Sequence, residues 1–346
     1  MTKNKKELRL DLNEGQQPLI SGKTAQTLAR DGSWHQYARK TDLINLQKIT
    51  AKRLNVSPAN LVFFNGTYHA LDTLFNFLVH DGETIIMPVP TFAFYPKFEK
   101  YRRINFKKIK YGENLQLPVT KILTALDAKT KLIYLVNPNN PLGTVATPNE
   151  LEIVIKAARS KNAYVIVDEV YAEFSAERES LAALVKKYKN LIVLRSFSKI
   201  GLSGLKLGIT VSAEKLAQKI GEMRGDTYNV NKVSMLVVEQ VLAHSWQITQ
   251  YVEDIEQAKK KLINFLESRQ VVILPSRTNF ITAKFYRPQE LVEALAKRNI
   301  LVKDLSHYPD ISRWLKGYLR ITVPQSKDLP YFLKVLGEIM DKFKKA

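Results

Sequence analysis

The feature that most constrains this chain is a repeated alternation of short apolar runs with helix-period spacing. The runs at 84–87, 132–136, 163–167, 191–194 and 207–211 are short and almost continuously apolar, as strands buried on both faces are, and helical patterns separate them. In one of those patterns, 149–160, Leu151, Val154, Ile155 and Ala158 fall on one stripe, the spacing of a helix that faces a core. Such an order predicts an α/β fold, a large doubly wound, mostly parallel sheet covered by helices on both faces. After about Trp246 the pattern changes. A long, charge-rich helix over 248–269, strand-like runs at 271–274 and 279–285, a helix over 288–298 and two more short strands predict a smaller α/β domain. The 346 residues, 45% of them hydrophobic, suffice to fill both cores.

Three segments in the larger part carry chemistry: Asn137-Pro138-Asn139-Asn140-Pro141-Leu142-Gly143, Asp168-Glu169-Val170-Tyr171 and Ser196-Phe197-Ser198-Lys199. Each alone is ordinary turn chemistry. Together, in this order, they match what pyridoxal phosphate demands of a protein. A lysine amine must bond covalently to the cofactor aldehyde, and Lys199 is the candidate. A carboxylate must keep the pyridine nitrogen protonated so that the ring draws off electrons. Asp168, at the end of the 163–167 run, would point into the crevice at the carboxyl end of a parallel sheet. Asn140 and Tyr171, on loops after neighbouring strands, suit the cofactor's phenolate oxygen. Its phosphate calls for backbone N–H groups at a helix start, small hydroxyls and a cation: Gly66 and Thr67 before the helical pattern 70–78, Ser196 and Ser198 around the lysine turn, and Lys206. Phe92 in Pro90-Thr91-Phe92 would cover the other ring face.

These segments, with Leu12-Asn13-Glu14, Asn65-Gly66-Thr67 and Tyr318-Leu319-Arg320-Ile321-Thr322-Val323, resemble a fold-type I, class I/II aminotransferase of the histidinol-phosphate aminotransferase group along nearly the whole chain. The resemblance implies a transaminase with Lys199, Asp168 and Tyr171 as catalytic residues. It implies that Arg320 binds the acidic group of the substrate, with Asn13 and Lys303 beside it, and that Tyr37 reaches the cofactor phosphate of the other subunit of a homodimer. It also implies a large domain over 30–246 and a small domain built from 1–29 and 247–346. The amino donor would be histidinol phosphate or an aromatic or other amino acid, and the acceptor a 2-oxo acid such as 2-oxoglutarate.

The chain departs from that group's pattern at Lys206 and Lys303, where arginines are usual, and at Thr67-Tyr68-His69, where an acidic pair is usual. Lysine offers a point charge without a bidentate fork. A decarboxylase of the same fold acting on a phosphorylated amino acid, such as threonine phosphate, shares every cofactor motif and is the alternative. A more distant one comes from the formal net charge of +20, since a basic surface attracts nucleic acid. The lysines are dispersed rather than gathered in an aromatic-laced stretch, so no specific nucleic-acid partner is expected. The five histidines show no metal-ligand spacing and are assigned to surface or core. Zero cysteines exclude thiol chemistry. The start lacks the apolar stretch of a signal peptide and no run reaches membrane-spanning length, so a cytoplasmic protein is expected.

Overall fold

The computed structural model describes residues 7–30, 35–175, 180–225 and 230–345. Two sheets organise it. The short β1 (Leu8–Leu10) belongs to the smaller one. The larger, seven-stranded sheet contains β2 (Leu61–Asn65), β3 (Thr84–Val89), β4 (Asn105–Lys110), β5 (Thr130–Val136), β6 (Tyr164–Asp168), β7 (Leu191–Ser196) and β8 (Leu207–Ser212), in the order β2-β8-β7-β6-β5-β3-β4. Side chains of the central strands alternate cleanly between two cores. Leu132, Tyr134, Val136, Ile166, Ile192 and Leu194 pack on one face, against the Gly66–Leu78 helix. Ile133, Leu135, Val165, Val167, Leu191 and Val193 pack on the other, against the Pro148–Ser160 helix. That two-residue alternation with both faces apolar explains the continuous hydrophobic runs.

Pairs β3–β4, β3–β5, β5–β6 and β6–β7 are parallel, whereas β8 runs antiparallel to both β7 and β2. The reversal follows from the link between β7 and β8, which holds only two single-turn 3-10 segments and is too short for the helical crossover that a parallel return requires. Edge strand β4 went unnoticed in the sequence because its Asn105-Phe-Lys-Lys-Ile-Lys110 is polar. Lysines along an exposed edge are a usual protection against strand addition, and here Lys107 pairs with Asp127 at 2.7 Å and Lys108 with Glu99 at 2.7 Å.

The second sheet adds β9 (Val272–Ile273), β10 (Phe280–Lys284), β11 (Ile300–Asp304) and β12 (Tyr318–Thr322), in the order β1-β11-β12-β10-β9. Residues from near the start of the chain and from its last third therefore share one sheet. The Trp246–Glu267 helix leads into it, burying Ile248, Val252, Ile255, Leu262 and Leu266 on one stripe.

The turn that ends β2 is fastened to β8 by close backbone packing. A Cβ on Gly208 would lie 2.6 Å from the Thr67 nitrogen and 2.7 Å from the Gly66 carbonyl carbon, and one on Gly66, at φ +79, would lie 3.7 Å from the Lys206 oxygen. Backbone atoms cannot yield as a flexible side chain can. Gly208→Ala is therefore expected to lower unfolding stability by roughly 2 kcal/mol, read as a reduced urea midpoint. An unchanged midpoint would show that the β2–β8 junction tolerates a methyl group.

Candidate active site

The carboxyl ends of β2, β3, β5, β6 and β7 open into a cleft of about 710 Å³, closed on its other side by β11, β12 and the segment after β1. Of the residues that the sequence singles out, Asn13, Gly66, Thr67, Phe92, Asn140, Asp168, Tyr171, Ser196, Ser198, Lys199, Lys206, Lys303 and Arg320 all line it. Tyr37 does not; it lies on the surface at 83% exposure.

Asp168 is buried at the last position of β6. Its Oδ2 accepts a hydrogen bond from the Tyr134 hydroxyl at 3.0 Å, and its Oδ1 one from the Val170 N–H at 3.2 Å. Burial pushes this carboxyl up to about 6, against those two hydrogen bonds and the attraction of Lys199. Lys199 sits in a single 3-10 turn after β7, its Nζ 3.4 Å from the Leu12 carbonyl oxygen and 5.8 Å from the centre of the Tyr171 ring. Burial, then the Arg320 guanidinium, lowers its amine to about 8, although Asp168 and Glu14 act in the opposite direction. The free, nucleophilic amine of Lys199 is thus far more populated near neutral pH than that of an ordinary lysine.

At one end of the cleft Gly66 and Thr67 begin a 13-residue helix, whose first N–H groups have no partners within the helix and attract anions. Ser196 and Ser198, joined by a 3.1 Å bond from the Ser198 N–H to Ser196 Oγ, stand on the neighbouring turn, with Lys206 in a left-handed conformation at φ 50. Toward the second sheet, Arg320 of β12 is buried, donating to Asn140 Oδ1 at 2.7 Å and to the Asp11 carbonyl, and its Nε–H has no hydrogen-bond partner among the described residues. Lys303 of β11 is the register partner of Arg320. Asn13, itself at φ 56, is held by bonds from its N–H to Thr322 Oγ1 at 2.9 Å and from Asn279 Nδ2 to its carbonyl at 3.1 Å, and its own Nδ2 donates to the Tyr171 hydroxyl at 2.9 Å.

The aminotransferase class I and II profile matches residues 8–336. The chain belongs to the class I and II aminotransferases. It is 31% identical over 298 residues to a histidinol-phosphate aminotransferase of Caldanaerobacter subterraneus subsp. tengcongensis, covering 85% of this chain and 82% of that one. A second relative of that name, from Methanocaldococcus jannaschii, is 28% identical over 313 residues, 88% of this chain and 82% of the other. The histidinol-phosphate aminotransferase of Sinorhizobium meliloti, solved with pyridoxal 5'-phosphate, has the same fold, with a TM-score of 0.83 at 20% identity over 97% of this chain and 91% of that one. The protein is a pyridoxal-phosphate-dependent aminotransferase of fold type I.

The residues present fit that cofactor. Asp168 is a buried carboxyl that faces the cleft with no ion-pair partner within 4.0 Å among the described residues, a position that a pyridinium N–H would complete. The helix start, two hydroxyls and Lys206 form a cradle with the chemistry of a phosphate monoester site.

Sequence reasoning overlooked Tyr134 and Tyr308. Tyr134 could have been suspected as a polar-tipped aromatic in a buried aliphatic strand, where its hydroxyl needs a partner. Tyr308 lines the cleft from the loop after β11, hydrogen-bonded to the Ala93 backbone, and no local pattern marks it. His69 was assigned to surface or core; half-buried, it lines the cleft edge-on to Phe64, 5.3 Å between ring centres. Tyr68 and Lys97 share that rim, with Lys97 Nζ 4.7 Å above the Tyr68 ring. Among the described residues no helix is long and apolar enough to cross a membrane.

Because the native Asp168 pKa exceeds the unfolded value of 3.8, the folded protein holds a proton that the unfolded chain releases between about pH 4 and pH 6, and stability is lost as pH rises through that window. Asp168→Asn should therefore stabilise the cofactor-free protein above pH 6, by on the order of 3 kcal/mol, with the difference closing toward pH 4. Thermal unfolding across that range tests it. A variant less stable than the parent at pH 8 would contradict the assigned burial cost.

Proposed function

We propose that this aminotransferase uses histidinol phosphate, or an amine of similar anionic character, as amino donor and a 2-oxo acid such as 2-oxoglutarate as acceptor. The observation that carries the reading is the convergence on one cleft of Lys199, Asp168, the Gly66–Thr67 cradle and Arg320. Bound pyridoxal phosphate supplies an aldehyde and an electron-withdrawing ring. Lys199 would hold the cofactor through its Nζ, and its amine, when free, would take the proton from the substrate α-carbon. Asp168 would accept the ring N–H, with Tyr134 orienting that carboxylate. Asn140 and Tyr171 would hold the phenolate oxygen and Phe92 would stack on the ring. Gly66, Thr67, Ser196, Ser198 and Lys206 would hold the phosphate.

Arg320 fixes the acidic group of either substrate through its remaining N–H groups, with Asn13 beside it and Lys303 opposite. Arg320, Lys303, Lys206 and Lys97 outnumber the acids of the cleft, Asp168 and Asp72, which supports an anionic substrate. Tyr37, exposed in a single chain, serves the partner subunit's phosphate in a homodimer, with each chain divided into a 30–246 domain and a 1–29/247–346 domain. The names of the relatives support the donor.

Lys199→Ala should remain folded and lose turnover by roughly three orders of magnitude or more; turnover near that of the parent would exclude Lys199 as the cofactor lysine. With purified enzyme and 2-oxoglutarate, histidinol phosphate should give a higher kcat/KM than phenylalanine or tyrosine. Arg320→Gln should lower that value by roughly 10- to 100-fold, chiefly through KM. Equal values for all donors, or release of CO₂ in place of amino transfer, would overturn the substrate assignment.

A further inference from the structure

On the side of β6 and β7 turned away from the cleft, the chain carries an ion network that the reading above does not use. Glu169 follows Asp168, and Arg195 precedes Ser196. Since successive residues of a strand point to opposite faces, the residues that meet the cofactor site have these two directly behind them. Glu169 is 3% exposed. It accepts from the Leu181 N–H at 2.7 Å, from Ser180 Oγ at 2.5 Å and from Arg195 NH1 at 3.3 Å. Arg195 also donates NH2 to Glu173 Oε1 at 2.7 Å, and Glu173 Oε2 receives Arg53 NH2 at 2.9 Å. The backbone joins the same two strand ends, with the Glu169 N–H bonded to the Leu194 carbonyl at 2.9 Å.

We propose that Arg195, acting through Glu169, is a positioning residue that clamps the carboxyl ends of β6 and β7 and offsets the negative charge behind Asp168. The inference rests on the assignment of Asp168 to the cofactor ring. A second buried carboxylate one residue from Asp168 opposes its ionisation, and a guanidinium fixed on that carboxylate cancels most of the effect. The groups that face Asp168 are Tyr134 from β5, Lys199 from the turn after β7, and Glu169 and Tyr171 from its own segment. Of these, Glu169 is the one other carboxyl; burial pushes its pKa up, and Arg195, its ionic partner, acts most strongly to hold it down. Glu173 in turn keeps Arg195 charge-balanced from the side that Arg53 reaches.

The test is a double-mutant cycle on the holoenzyme: parent, Arg195→Met, Glu169→Gln and the double variant. Each is read by the pH dependence of kcat, the cofactor dissociation constant and the urea midpoint. Loss of the Asp168 charge on acidification should lower kcat and so give the profile an acid limb. Arg195→Met should move that limb to higher pH by roughly half a unit or more, Glu169→Gln should move it to lower pH, and the double variant should return it toward the parent. KM for the donor should change little in all three. Four coincident acid limbs with altered urea midpoints would reduce the pair to a structural brace and overturn the proposal. If the parent carries no bound pyridoxal phosphate absorbance, or if Asp168→Asn leaves kcat unchanged, the assignment of the cofactor site fails instead, which separates the two outcomes.

Discussion

The constraint on which the rest of the site depends is the burial of the Asp168 carboxyl at the end of β6. A carboxylate in such a position is costly unless a cation or several donors face it, and among the described residues it meets the Tyr134 hydroxyl, the Val170 N–H and the more distant Lys199 amine. Burial therefore dominates both ionisable partners. It raises the acid and lowers the amine, although their mutual attraction acts the other way on each. A site in which both groups are drawn toward neutrality is prepared for a ligand that brings its own ring nitrogen and its own aldehyde.

The two sheets divide the work. Parallel strands of the larger sheet deliver Asp168 at the end of β6 and Asn140 and Lys199 from the loops after β5 and β7, at the usual ligand crevice of open α/β sheets. Antiparallel β11 and β12 deliver Lys303 and Arg320 as cross-strand neighbours. The segment after β1 joins the halves: Leu12 and Asp11 offer carbonyls to Lys199 and Arg320, and Asn13 bridges Thr322, Asn279 and Tyr171. Arg320, the proposed substrate anchor, is thereby joined through this segment to Lys199 and Tyr171, which are proposed to hold the cofactor.

Much of this was legible in the sequence because burial on both faces leaves an unmistakable imprint on β5, β6 and β7, and because Asp168, Lys199, Asn140 and Arg320 sit in segments whose order is chemically specific. The reversed direction of β8 was not, since an apolar run carries no sign of strand direction and only the short preceding link betrays it. Edge strand β4 escaped because protection of an edge replaces apolar residues with lysine. Tyr134 and Tyr308 act through contacts with residues 34 or more positions away in sequence or across the cleft, and nothing local marks the half-buried His69 as a residue of the cleft rim. Tyr37 is exposed and does not line the cleft of its own chain.

The central claim, that Lys199 is the residue to which the cofactor is bonded, is tested most directly by reducing the pyridoxal-phosphate-loaded protein with borohydride and mapping the modified peptide by mass spectrometry. The account predicts a single phosphopyridoxyl adduct on Lys199, absent when an excess of a productive amino donor is present during reduction. An adduct on Lys206, Lys303 or another lysine, or no adduct in protein that binds the cofactor, would contradict it.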